Sequence, residues 1–294
     1  MTILISGSEG NIGSRLIPYL RQCGHQIFRF DQIQKYEEGY MTGNINNEGD
    51  LFIAFTEFKP DACVHLAAMV SRVTCEQAPH LTVETNLAGL NNVVQVCKAF
   101  QTKLMYFSTS EVYGNIGGYL SEDRQCQPNN RYGLTKYLGE KLVEYEIANG
   151  LRAIIVRPFM FYDEKETRGA HRSAMIRFAD NLYHRRKIEV HTGSLRSWLH
   201  MSDAVRYIER LLFVDHFEIV NIGTNEILRT ELLAKMMCDI LGIDYNLYVT
   251  ELPLPEKMTL EKYPDIRKLI KLTGIYPDIP IDKGIKLVLD EFNS

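Results

Sequence analysis

Residues 4–16 read LISGSEGNIGSRL: an apolar run, then Gly7, Gly10 and Gly13 spaced three apart, then an amphipathic stretch. The run TILIS (2–6) has the β-branched character of a buried strand, and 11–23 carries helical spacing. Glycines at such a junction let the backbone turn tightly. They also leave N–H groups and the positive helix end open to a diphosphate. Asp31 ends the second apolar run, eighteen residues past Gly13. At that spacing a carboxylate meets the two hydroxyls of an adenine ribose, and a 2′-phosphate would be repelled. Gly7, Gly10, Asn11, Ile12 and Gly13 together with Asp31 therefore predict a dinucleotide site that prefers NAD to NADP.

The pattern repeats outward from this stretch. Apolar runs at 25–30, 61–67, 103–108 and 152–157 alternate with helical spacing at 48–58, 80–100 and 132–148. Strands alternating with helices of this length predict an α/β fold, a doubly wound parallel sheet with helices on both faces. Pro18 inside the first helical stretch removes one intrahelical bond and should bend it. Beyond about residue 158 the rhythm changes. Residues 162–171 are turn-rich, helices are expected near 173–186, 203–214, 230–241 and 264–273, and strands at KIEVH and 217–223. Pro253, Pro255, Pro264, Pro277 and Pro280 punctuate the last fifth. The expected organisation is a nucleotide-binding domain over 1–160, its sheet completed near 203–223, and a mainly substrate-binding part over 161–294.

With 294 residues and a net charge of −4 the chain has ample core and no general attraction to nucleic acid or anionic membrane. Its six cysteines are scattered with no CxxC pair, which argues for reduced thiols and against a disulfide framework or zinc site. No run of 18 apolar residues predicts a membrane span, and the first residues carry no basic signal-peptide pattern. The expected compartment is the cytoplasm.

Tyr132 and Lys136 form Tyr-x-x-x-Lys, which shares one helix face. Chance alone gives about one such pair in a chain this rich in both residues, and there are three, Tyr137/Lys141 and Tyr183/Lys187 being the others. Spacing decides nothing; context does. Tyr132 follows the polar loop SEDRQCQPNNR where a helix begins, whereas Tyr137 lies about 140° further round. A lysine ammonium and a positive nicotinamide ring lower the pKa of a phenol, which can then take a proton from a sugar hydroxyl. The stretch YFSTSEVYGN leaves a parallel strand at its carboxyl end, where open α/β sheets bind ligands, and offers Ser108, Thr109, Ser110 and Glu111.

With GSEGNIG, Asp31, VHLAA (64–68), VETNLAG, STSEVYG, YGLTK, VRP, RSWLHMSD (196–203) and NIG (221–223), the chain resembles extended short-chain dehydrogenases/reductases of the NAD-dependent nucleotide-sugar epimerase/dehydratase family. The resemblance covers nearly the whole chain. It implies a Rossmann-type sheet with a smaller C-terminal substrate part, NAD as cofactor and a nucleotide sugar as substrate. Tyr132 is then the base, Lys136 holds the nicotinamide ribose, Thr109 meets the hydroxyl being oxidised, Ala67 and Asn86 line the cofactor site, and Ser110 and Arg196 meet the substrate. Glu111 matches the Thr-x-Glu of 4,6-dehydratases and uronate decarboxylases. The resemblance also implies a homodimer through the helices carrying Asn86 and Tyr132, and a structural His65. Met160 stands where the family often has a substrate-contacting Asn, and Lys262 or Tyr263 where a phosphate-contacting Arg is frequent. The expected activity is transient C4 oxidation followed by dehydration or decarboxylation. C4 epimerisation is the alternative, with an NAD(P)H-dependent sugar reductase and a non-catalytic dinucleotide sensor behind it.

Overall fold

The computed structural model describes residues 1–166, 173–254 and 260–293. The first strand-helix pairs run β1 (Thr2–Ser6), α1 (Asn11–Gln22), β2 (Gln26–Asp31), β3 (Tyr40–Thr42), α2 (Glu48–Phe58) and β4 (Ala62–His65). Then follow α3 (Arg72–Gln77), α4 (Pro79–Val83), a π-helical turn (Glu84–Gly89), α5 (Leu90–Ala99) and β5 (Lys103–Phe107). A 3₁₀ turn (Ser110–Tyr113), β6 (Tyr119–Leu120), α6 (Arg131–Ala148), β7 (Ala153–Pro158) and β8 (Met160–Tyr162) come next. The remainder comprises α7 (Ala174–Tyr183), β9 (Ile188–His191), β10 (Leu195–His200), α8 (Met201–Leu211), β11 (Ile219–Ile222), β12 (Ile227–Arg229) and α9 (Thr230–Leu241). It ends with α10 (Tyr245–Tyr248), β13 (Val249–Leu252), β14 (Glu261–Pro264), α11 (Arg267–Thr273) and α12 (Ile281–Asp290).

The chain forms two compact units. One comprises Met1–Gly114, Gln125–Pro158 and Ile208–Val220; the other comprises Asn115–Arg124, Phe159–Tyr207 and Asn221–Ser294, of which Ser294 lies outside the described residues. In the first, the strands order β11-β7-β5-β4-β1-β2-β3, with parallel pairing from β7 through to β3. Chain order reverses between β1 and β4, and such a switch point is where doubly wound sheets open a crevice for ligands. Strands β4, β5 and β7 are buried almost throughout, as a sheet covered on both faces requires. Leu51, Phe55, Val93, Val94, Leu104, Tyr106 and Val143 pack its core.

In the second unit β12-β10-β14-β6 form one sheet, β8 adds to β10, and β9 pairs β13. Its core gathers Tyr162, Phe178, Leu182, Trp198, Met237 and Val288. Several expectations were too coarse. The stretch 80–100 is not one helix but α4, the π turn and α5. Pro18 does sit inside α1, at an exposed position, so the disruption it makes faces water. Strands β3, β6, β8, β10, β12, β13 and β14 and helices α3, α10 and α12 went unread. Of the turn-rich stretch 162–171, residues 167–171 lie outside the described residues, as does Pro255.

Candidate active site

The three glycines of the opening turn do three different jobs. Gly7 has φ +73°, and a Cβ there would stand 2.6 Å from the Ala67 backbone nitrogen. At Gly13 a Cβ would lie 2.4 Å from the Ser8 carbonyl oxygen, so glycine lets α1 pack onto the turn. Gly10 is different. It is exposed, and a Cβ would approach only the Gly7 oxygen, at 3.2 Å. It is also the N-cap of α1, with no side-chain cap and no acidic residue in the first turn. The first-turn amides thus stand at a positive helix end with no acidic side chain in that turn, which fits a dinucleotide diphosphate. Asn11 is exposed and Ile12 half-buried in that turn. Asp31 ends β2 beside it. Its Oδ2 accepts from the Glu9 amide at 3.0 Å and its Oδ1 from the Ile33 amide at 3.2 Å, so the carboxylate is aimed by backbone and keeps lone pairs for a ribose diol. These residues fit NAD.

Asn86 lies in the π turn, buried. Its Oδ1 accepts from the Met69 amide (2.8 Å), and its Nδ2 donates to the Met69 carbonyl (3.0 Å) and to Thr135 Oγ1 (3.1 Å). It thereby ties the segment after β4, which carries the half-buried Ala67, to α6. Inserted π turns of this kind recur at functional sites.

Helix α6 presents the Tyr-x-x-x-Lys pair. Its N-cap Asn130 accepts from the Gly133 amide and donates Nδ2 to Glu111 Oε2, both at 2.9 Å. A Cβ on Gly133 would stand 2.7 Å from the Glu111 carbonyl oxygen, so this glycine brings the helix start against the turn carrying Thr109 and Glu111. Tyr132, half-buried, has its phenol pKa raised by burial; a hydrogen bond to Thr109 lowers it and the nearby Glu111 charge raises it. Thr109 Oγ1 also accepts from the Glu111 amide (3.2 Å) and caps the 3₁₀ turn. Glu111 is an ion-pair partner of the half-exposed Arg72 at 3.7 Å. Ser110 is buried in the same turn.

Lys136 is almost wholly buried, its Nζ donating to the Phe107 carbonyl at 2.7 Å and lying 4.9 Å above the Tyr106 ring. Burial pulls its pKa down to about 7, with Glu140 one turn along pulling it up. Glu140 in turn takes Arg157 in two hydrogen bonds, Nε to Oε1 at 2.8 Å and Nη2 to Oε2 at 2.7 Å, and accepts from Ser108 Oγ. Arg157 also reaches Tyr113 Oη at 2.9 Å. Sequence reading passed over Glu140, Asn130, Gly133 and Arg157. The i, i+4 spacing of Lys136 and Glu140 was the available signal.

The other Tyr-x-x-x-Lys pairs lie elsewhere. Lys141 stacks on the Tyr137 ring at 5.2 Å and pairs Glu144. Tyr183 donates to Asn293 and stacks on Phe292. His65 is buried against Ser6, Nδ1 to Oγ 2.7 Å, and burial holds its pKa down to about 3, so it is a neutral packed imidazole.

Arg196 belongs to the second unit. It stands beside Lys262 in the parallel β10–β14 register and donates to the carbonyls of Leu195 (2.8 Å) and Leu260 (3.2 Å). Lys262 is buried, whereas Tyr263 bonds Glu261. Met160 pairs Trp198 in register and packs on that unit's core.

The model of the NAD dependent epimerase/dehydratase family matches residues 3–223. UDP-N-acetyl-alpha-D-glucosaminuronate decarboxylase of Bacillus cytotoxicus is 27% identical, covering 99% of this chain and 97% of the relative. CDP-paratose 2-epimerase of Salmonella typhi is 22% identical over the full length of both. The solved UDP-glucose 4-epimerase of Thermotoga maritima has the same fold, with TM-score 0.91, 21% identity and coverage of 100% and 99%. The family match spans the glycine turn, Asp31 and the Tyr132–Lys136 helix alike, and the chain belongs to the NAD dependent epimerase/dehydratase family, with NAD as its cofactor.

Proposed function

We propose that this chain oxidises C4 of a nucleotide-activated sugar transiently and uses the 4-keto group to drive 4,6-dehydration or uronate decarboxylation. The observation that carries this reading is the cluster of Tyr132, Thr109 and Glu111, tied together by the cap of α6. NAD, when bound, accepts the C4 hydride and returns it. Tyr132 takes the C4 hydroxyl proton while Thr109 orients that oxygen. Burial favours the neutral phenol in the protein alone, so the positive charge supplied by Lys136 and by the bound nicotinamide is what makes phenolate accessible. Glu111 then has work beyond C4. In a dehydration it takes the C5 proton made acidic by the ketone, and hydroxide leaves C6 with a proton as water. In a decarboxylation the C5–C6 bond electrons pass toward the ketone as CO₂ departs, and the resulting enolate is protonated at C5, the carbon Glu111 serves, before the hydride returns to C4. Arg196 and Lys262, neighbours in register, are assigned to the diphosphate, Lys262 as a point charge.

Relatives and structural neighbours are described as decarboxylase, dehydratase and epimerase, and that range favours no one outcome. Incubation with UDP-, GDP- and dTDP-sugars, read by mass, separates the outcomes. Loss of water or carbon dioxide supports the proposal. Unchanged mass with altered stereochemistry gives the C4-epimerase. Glu111→Gln with product lost and NADH accumulating places Glu111 after C4 oxidation; unchanged turnover removes it from the chemistry.

A homodimer is part of the same reading. Leu134, Leu138 and Tyr145 form an exposed stripe on α6, and Leu81 and Val83 are exposed on α4. A monomer by light scattering at micromolar concentration would overturn it. Among the described residues no helix is long and apolar enough to cross a membrane, and the free cysteines support a cytoplasmic assignment.

A further inference from the structure

We propose that Glu9 enforces the choice of NAD over NADP by occupying a lysine and an arginine that would otherwise receive a 2′-phosphate; this rests on the cofactor assignment above. Glu9 sits inside the glycine turn, one residue before Gly10, and its amide is the group that aims Asp31 Oδ2. Its carboxylate points the other way, into two cations. Oε2 pairs with Lys35 Nζ, and Oε1 stands 3.7 Å from Arg29 Nη1. Arg29 is further held by Glu37 and lies 4.9 Å over the Tyr40 ring, which Lys35 also faces at 6.0 Å. Lys35 is anchored through its amide to Thr42 Oγ1 at 3.2 Å.

Two cations so close to the ribose-gripping carboxylate are the equipment of a site that accepts a phosphate. Asp31 alone therefore explains only part of the preference for the unphosphorylated ribose. The carboxylates of Asp31, Glu9 and Glu37 outnumber the cations Arg29 and Lys35 by one, so the cluster is negative as it stands. Replacing Glu9 by a neutral isostere brings it to balance and releases the Lys35 ammonium, whose flexible stem lets it turn toward a new anion. The Glu9 amide, and with it the hold on Asp31, is untouched by that change.

The test is direct binding to the cofactor-stripped full chain, measured by calorimetric titration with NAD⁺ and with NADP⁺. In Glu9→Gln, NADP⁺ should tighten on the order of tenfold, the effect of one charge-assisted phosphate contact. NAD⁺ should stay within roughly twofold, since its ribose contacts Asp31. NAD⁺ remains the tighter ligand because Asp31 is intact. In Glu9→Gln/Lys35→Met the NADP⁺ gain should disappear. An unchanged NADP⁺ affinity in Glu9→Gln overturns the proposal. So does a gain that persists in the double variant, because simple relief of repulsion would then account for it. Failure of the wild-type chain to bind NAD⁺ at all would instead strike the cofactor assignment.

Discussion

Alanine at Gly10 and alanine at Gly13 should fail in opposite ways, though the two glycines lie in one turn. At Gly13 the new Cβ would sit 2.4 Å from the Ser8 oxygen, 2.8 Å from its carbonyl carbon and 2.9 Å from its Cα. All three are backbone, so relief requires α1 to move off the turn by roughly an ångström. Overpacking of this kind costs about 1–3 kcal/mol, which for a chain of this size lowers Tm by roughly 2–5 °C. At Gly10 the single close atom is at 3.2 Å, and φ −73° with ψ 173° suits alanine. Losing glycine at an N-cap costs about 0.5 kcal/mol, so Tm should barely move. The methyl instead occupies the approach to the first-turn amides, and NAD⁺ affinity should drop about tenfold or more, at least 1.4 kcal/mol. Thermal melts of both apo variants, with NAD⁺ titrations alongside, read the two effects separately. Wild-type NAD⁺ affinity in Gly10→Ala, or a wild-type melt in Gly13→Ala, would refute this division of labour.

Tyr132→Phe should lower turnover by about 100-fold or more while NAD⁺ binding persists, and Tyr137→Phe should retain activity; an inactive Tyr137→Phe would move the base to the wrong helix face. Glu140→Gln leaves the buried Arg157 without its charge partner and should cost about 3 kcal/mol of stability, read by denaturant titration, with Lys136 losing the group that raises its pKa. Lys136 titrates at about 7 when folded against an ordinary 10.5, so between those values the unfolded chain binds more protons and stability from this group rises with pH. Below about 7 its full burial cost is present. Lys136→Met should flatten that slope in melts across the window, and an unchanged slope would contradict the assignment.

The alternating half of the fold was readable because its signals are local. Each buried strand is a nearly continuous apolar run, and α1 begins five residues after the strand before it. The different surroundings of Tyr132 and Tyr137 were equally local, since five residues of helix turn one side chain to Thr109 and the other to Lys141. What escaped depends on distant partners. β14 is four residues long and pairs with the two-residue β6 some 140 positions away, a relation no spacing announces. Lys262 acquires its place beside Arg196 only through that sheet. The π turn is a single register shift inside a helical pattern, invisible to a period count, yet it sets how Asn86 clamps Met69. Met160 looked like a change in a sugar pocket, and its packing on the core beside Trp198 shows a second demand on that position.

In the proposed reaction, proton removal by Tyr132 is coupled to hydride loss from C4. Its most direct measurement is rapid mixing of the NAD-loaded protein with the sugar nucleotide identified by mass, protonated or deuterated at C4, following nicotinamide reduction by absorbance. Reduction that slows with deuterium in the wild-type protein and vanishes in Tyr132→Phe is the predicted result. Reduction without an isotope effect, or reduction at the wild-type rate in Tyr132→Phe, would contradict it.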